Sequence, residues 1–286
     1  MGFNRPEAKY RARLAMRGAY PHPMLVTLVY ILLTGVLTYA IMYFVSNPFT
    51  LAYWYLADGA EVEDVYRNLF TFQRVGTYLV MELLITLYQW VMLFGYAAYA
   101  LGLARRTGPG YRTLLEGFAH LGKALLVSFL TALFASLWGM VATLPGVIVL
   151  TIGAASGSNG LVALGVLLVL CGAVVEVVVT YRYRLAVYFL LDNPDMGALA
   201  AITASKQAMR GHKGELFVLD LSFLGWAILS VFTLGILSLW VTPYSWASEA
   251  NFYHWVVYGS FPNDQPQPGY QGSSYQSPYD DNKPQF

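Results

Sequence analysis

From Ala124 to Ile152 the chain runs for 29 residues without a charged side chain. A helix rises about 1.5 Å per residue, so about 20 apolar residues cross the roughly 30 Å hydrocarbon core of a bilayer. Four further runs meet this requirement: Met24 to Val45, about Tyr78 to Leu103 with Glu82 inside, about Leu161 to Tyr181 with Glu176, and Leu216 to Val241 with Asp220. Backbone polar groups cannot stay unpaired in lipid, so each run must be helical. The two-residue alternation of an outer-membrane strand is absent. The sequence therefore predicts an all-α integral membrane helical bundle with about five transmembrane spans. The third span contains Pro145 and Gly146, which predict a kink or a break: a tilted helix or a helix plus a short re-entrant piece both fit. The run from Met24 exceeds the roughly 7–15 residues of a signal-peptide core and no small-residue cleavage site follows it, so it is expected to remain as the first span.

Composition agrees. Charged residues make up 12% of the chain and hydrophobic ones 57%, against roughly 25% charged in a soluble domain. Fourteen of the 17 lysines and arginines fall in three segments: Arg5 to Arg17, Arg105 to Lys123, and Arg182 to Lys213. With five spans these segments share one side, which the positive-inside rule assigns to the cytoplasm. That topology puts the N-terminus inside and the C-terminus outside, in a cytoplasmic membrane. Three regions result: a basic cytoplasmic segment (1–23), a membrane helical domain (24–258), and a tail (259–286) too rich in Pro, Gln, Ser and Tyr to offset its ordering entropy. Two cytoplasmic amphipathic helices are expected, one in "TLLEGFAHLGKALL" and one opening at Asn193–Pro194. Pro243 is expected to end the fifth span, and the aromatic stretch after it to form an outer interfacial helix.

Several chemistries lack a basis. The single cysteine, Cys171, excludes an internal disulfide and a cysteine metal site. Histidines at 22, 120, 212 and 254 show no ligand spacing, so no metal or cofactor is expected. A hydrolase would recruit Ser222, His212 and Asp220, but Asp220 and Ser222 point about 200° apart on a helix. With no nucleophile elbow, phosphate loop or nucleic-acid module, the chain reads as non-enzymatic, with membrane lipids, a membrane protein or a second copy as partners and no nucleic acid.

Two groups of residues stand out. Lys206, Arg210, His212 and Lys213 crowd cations into "SKQAMRGHKGELF". They are either a topology signal with snorkelling stems or a cradle for anionic headgroups, with Gly211 exposing backbone amides. Glu82, Glu176 and Asp220 are ionisable groups within predicted spans, each costing at least about 2.5–3.5 kcal/mol at mid-bilayer. Glu176 and Asp220 either pair with arginines at the inner interface or line the polar path of a transporter.

The stretch "SKQAMRGHKGELFVLDLSFLGW", followed by "FTLGILSLWVTPY" and "ANFYHW", resembles a bacterial multi-pass membrane family known as domain of unknown function 975. Ser205, Gly211, Ser222, Gly225, Trp226, Pro243, Tyr244, Phe252 and Tyr253 carry the resemblance. It implies a bacterial membrane location and no known activity. A more distant similarity is to the membrane domain of glycerophosphodiester phosphodiesterases, without their catalytic domain.

Overall fold

The computed structural model describes residues 2–45 and 47–262. Most of the tail, residues 263–286, lies outside the described residues. In chain order the helices are α1 (Arg5–Arg17), α2 (Pro23–Ile31), a π-helical turn (Leu32–Val36), α3 (Leu37–Val45), α4 (Pro48–Ala57), α5 (Val62–Leu69) and α6 (Phe72–Ala104). A 3₁₀ turn (Tyr111–Leu115) and α7 (Glu116–Ala119) follow. Then come α8 (Leu121–Ala155), α9 (Asn159–Thr180), α10 (Ala186–Asp192), α11 (Ala198–Ala208), α12 (Lys213–Phe232) and α13 (Ser238–Tyr258).

Five segments are long and apolar enough to cross a membrane: Pro23–Met42, Phe72–Ala104, Leu121–Ala155, Asn159–Thr180 and Lys213–Phe232. The chain is an all-helical, multi-pass membrane protein by this architecture. Pro145 does not break the third span. It sits inside a continuous 35-residue α8, about 52 Å long at 1.5 Å per residue. Thr143 Oγ1 donates to the Gly139 carbonyl at 2.8 Å one turn earlier.

α8 and α9 form a hairpin whose register is set by glycine. Gly139, Gly146 and Gly153 recur every seven residues on α8, and Gly165 and Gly172 do so on α9. Gly139 lies against Glu176, Gly146 against Val169, Gly153 against Val162, Gly165 against Leu150 and Gly172 against Ala142 and Thr143. At each position a Cβ would come within 2.5 to 2.6 Å of its neighbour; at Gly146, Gly153, Gly165 and Gly172 that neighbour is backbone, so only glycine permits the approach, while at Gly139 it is the movable Glu176 carboxyl group. Small residues let helices close on one another in lipid, and a seven-residue period gives a left-handed supercoil.

The main core lies elsewhere, at one end of the spans. It joins α1, the last turns of α6, α10, α11 and α13 to the first turns of α2, α8 and α12. α13 runs through its middle. Seven consecutive residues, Ala247 to Tyr253, are buried, so this helix has no solvent face over those two turns, and it becomes exposed only at Tyr258. It packs on α1, α2, α6 and α12.

This arrangement corrects three expectations. Pro243 ends no span, because α12 stops at Phe232 and Pro243 lies within α13. The stretch after it is a buried central helix and not an outer interfacial one. The two ends of the described chain also meet, whereas the sequence reading separates them across the membrane. Asn251 Nδ2 donates to the Ala8 carbonyl at 3.0 Å, Arg11 donates to the Pro262 carbonyl at 3.4 Å, and the Phe3 ring packs on Phe252 and Phe261. The first residues of the tail, 259–262, thus lie against α1, with Gly259 in the left-handed region at φ 70°.

The loops differ in detail. The first expected amphipathic helix is instead a 3₁₀ turn and the four-residue α7. The cause is close backbone contact: Gly95 of α6 lies against the Leu114 carbonyl, and Gly117 against the Val91 carbonyl. Among the large apolar residues of that stretch, Leu114 is buried while Leu115, Phe118 and Leu121 are exposed. The second helix, α11, starts at Ala198 behind Gly197, and Asn193 ends α10 rather than opening α11.

Candidate functional site

The cationic stretch is assembled by turns, not by one helix face. α11 stops at Ala208, leaving Lys206 in its last turn. The chain reverses through Gly211 at φ 85°, a conformation that favours glycine. Lys213 then opens α12. Lys206, Arg210 and Lys213 line one open concavity of about 390 Å³ together with Gly211, Gly214 and Arg182. Arg182 arrives from the turn after α9. Among the described residues none of these four cations forms a salt bridge. The concavity therefore combines four uncompensated positive charges with the first amides of the 20-residue α12, the end of a helix that favours anions.

Ser205 holds this concavity in shape. It is fully buried, its Oγ donates to the Arg182 carbonyl at 2.9 Å and accepts from the Leu185 amide at 3.2 Å. α11 is thereby tied to the turn that carries Arg182. His212 does not join the group. Its ring lies 2.7 Å from Glu215 and edge-on to Trp255, while Glu215 also accepts the Phe3 amide at 3.1 Å. The histidine closes the contact between α1, α12 and α13 and lies outside the lining of the concavity.

The three intramembrane carboxylates are not brought together. Glu82 is exposed on α6. Glu176 lies over Gly139 within the α8–α9 hairpin, and among the described residues it makes no salt bridge. The expected arginine pairing is therefore not found for Glu176. Asp220 accepts the Tyr181 hydroxyl at 2.7 Å. The groove beside Pro145, about 360 Å³, is lined by Trp138, Val141, Ala142, Leu168, Cys171 and Val175 among others, all apolar.

The arginines pair with other carboxylates, Glu249 and Asp192. Arg184 forks onto Glu249 with two bonds of 2.9 Å, and the Glu249 charge raises the guanidinium above its already high value. Arg105 pairs with Asp192 at 2.7 Å. Tyr253 and Tyr258 donate to the same carboxylate at 2.8 and 2.9 Å. Burial works against the Asp192 charge, but the bonds from Arg105 and the two tyrosines outweigh it and hold the carboxyl below its usual range. Burial and that charge push the Tyr258 hydroxyl up to about 12.

The remaining motif residues are chiefly packing residues. Ser222 accepts Lys9 Nζ at 3.0 Å, and Tyr244 meets Phe223 edge-on at 5.0 Å. Pro243, Phe252 and Tyr253 are buried in α13. A side chain at Gly225 would meet nothing within 4 Å, and Trp226 is exposed. Among the described residues no group of three or more His, Cys, Asp or Glu is placed to hold a metal.

Residues 1–258 match one protein family, described as protein of unknown function (DUF975). No curated protein matches the chain, and no solved structure does.

Proposed function

The chain belongs to the DUF975 family of unknown function, and from that premise we propose that it is a non-enzymatic membrane scaffold that holds anionic lipid headgroups at its cytoplasmic face. The observation that carries this reading is the convergence of Arg182, Lys206, Arg210 and Lys213 on one open concavity lined by no carboxylate. A phosphate there meets fixed cations and helix-terminal amides together. The end of the bundle bearing α1 and these cations faces the cytoplasm of a bacterial cell, by the same excess of Lys and Arg. Lipid bound in this way would organise a partner membrane protein or a second copy. The distant resemblance to phosphodiesterase membrane domains belongs to this reading and brings no hydrolase activity with it.

The test uses the full-length protein in neutral detergent with short-chain phosphatidylglycerol and phosphatidylcholine as probes. Phosphatidylglycerol should bind more tightly, and salt should weaken it. At on the order of 1 kcal/mol per basic residue, the triple change Lys206→Gln, Arg210→Gln, Lys213→Gln should cost roughly 100-fold in affinity. Equal affinity for both lipids, or no loss in the triple variant, rejects the reading.

A transporter is the alternative. In its favour Glu176 lacks a salt-bridge partner among the described residues; against it, the groove beside Pro145 is apolar. Proteoliposome flux lost in Glu176→Gln would favour transport over the scaffold.

A further inference from the structure

From Leu221 to Ser248 there is no Asp, Glu, Lys, Arg or His, and α12 turns into α13 in the middle of that stretch. The two helices run antiparallel: His212 meets Trp255 and Phe223 meets Tyr244. A cation marks where this hairpin leaves water. Lys9 of the basic α1 donates to Ser222 Oγ at 3.0 Å and sits 4.3 Å from the centre of the Phe223 ring. One turn earlier Asp220 takes the Tyr181 hydroxyl, just past the end of α9. Beyond Phe223, α12 has nine residues left, or about 14 Å. That is half of the roughly 30 Å hydrocarbon core.

The tip is built for lipid. Val231, Phe232, Leu234 and Ile236 are 74%, 79%, 93% and 70% exposed. Every amide from Thr233 to Trp240 nevertheless has an acceptor within the hairpin. Thr233, Leu234, Gly235 and Ile236 donate to the carbonyls of Leu229, Val231, Ser230 and Thr233, and Ser238, Leu239 and Trp240 donate to those of Gly235, Ile236 and Leu237. Leu237 uses the Thr233 hydroxyl at 3.2 Å. The hydroxyls of Ser230, Thr233 and Ser238 are bonded inside the hairpin too. Irregular backbone in lipid survives only with its polar groups satisfied, and this exposed apolar turn meets that condition.

We infer that α12 and α13 form a re-entrant wedge. The helix pair enters the acyl chains of the leaflet on the cation-rich side, turns at Thr233–Leu237 inside them, and leaves by the same face. Four helices cross the bilayer and the fifth does not. This explains why the two ends of the described chain meet, and it does not depend on headgroup binding. The surface offered at the tip fits acyl chains of one monolayer.

Single cysteines placed by Leu234→Cys, Ser156→Cys and Arg210→Cys in a Cys171→Ser background test this with a membrane-impermeant maleimide on sealed vesicles of each orientation. Ser156→Cys and Arg210→Cys should label from opposite faces. Leu234→Cys should label at least about tenfold more slowly than either, from both faces, since the reagent needs a hydrated thiolate. Fluorescence-detected size exclusion checks that each variant is folded, and Leu234→Met supplies an uncharged control at the same exposed site. Rapid labelling of Leu234→Cys from the Ser156 face means that α12 crosses, and from the Arg210 face that the tip lies in water; either result overturns the inference.

Discussion

The chain contains two helical hairpins that solve the same problem in opposite ways. In α8–α9 the arms touch through five glycines over Gly139–Gly153 of α8 and Leu161–Glu176 of α9, and the connecting turn, Ser156-Gly157-Ser158, is polar. In α12–α13 the arms touch near the base, Gly225 meets nothing, and the turn is apolar and exposed. The first hairpin contributes its own interface and emerges into water. The second depends on α1 and the core for its position and presents its apolar tip outward. What separates them is where close packing is placed: along the arms in one, at the foot in the other.

Leucine in place of glycine tests that contrast most sharply. In Gly146→Leu the new side chain meets the Val169 backbone, and with no flexible neighbour to give way the cost should reach about 3 kcal/mol or more. It should be read as lost thermal stability in detergent and new trypsin cleavage between α8 and α9. Next comes charge at the two tips. Leu234→Lys should cost roughly 2.5–3.5 kcal/mol if the second tip sits in hydrocarbon, with reduced membrane yield. Ser156→Lys should leave yield unchanged, and equal yields would erase the distinction.

A smaller effect concerns the foot of α13. The Asp192 carboxyl is held below its unfolded value, so its stabilisation is present above the unfolded pKa and fades as pH falls through the folded one. Asp192→Asn should remove about 1–2 kcal/mol at neutral pH and flatten the acid side of a melting-temperature profile. An acid limb identical to that of the parent protein would show that this carboxylate contributes nothing. The smallest effect is expected from Gly225→Leu, within about 0.5 kcal/mol of the parent. A loss there comparable to Gly146→Leu would mean that the second hairpin has a packing partner beyond this chain.

Much of this fold is readable from the residues. Uncharged runs of membrane length give the spans, and the grouping of Lys and Arg finds the end that carries α1 and the basic concavity. The seven-residue glycine spacing at 139, 146, 153 and at 165, 172 is also present in the sequence, but it becomes meaningful only once the two runs are known to pair. α13 is hidden for a physical reason. Glu249, Asn251 and His254 among aromatics look like an interfacial face, and Pro243 looks like a stop. Only Arg184, 65 positions away, and the Ala8 carbonyl show that two of these polar groups are satisfied in a core. The concavity is half legible: Lys206, Arg210 and Lys213 are neighbours in sequence, while Arg182 is brought to them by the bonds of Ser205.

The contact between Phe3, Phe252 and Phe261 also bears on how the protein is made. α13 is translated after every other helix described, yet it runs through the middle of the main core and packs on α1, α2, α6 and α12. At roughly 5–20 residues per second, α1 waits on the order of ten seconds or longer for the helix it packs against. Until then the side of α1 that packs on α13 has no cover. A ribosome stalled before Ser238 would hold a polypeptide that lacks the helix on which α1, α2, α6 and α12 pack.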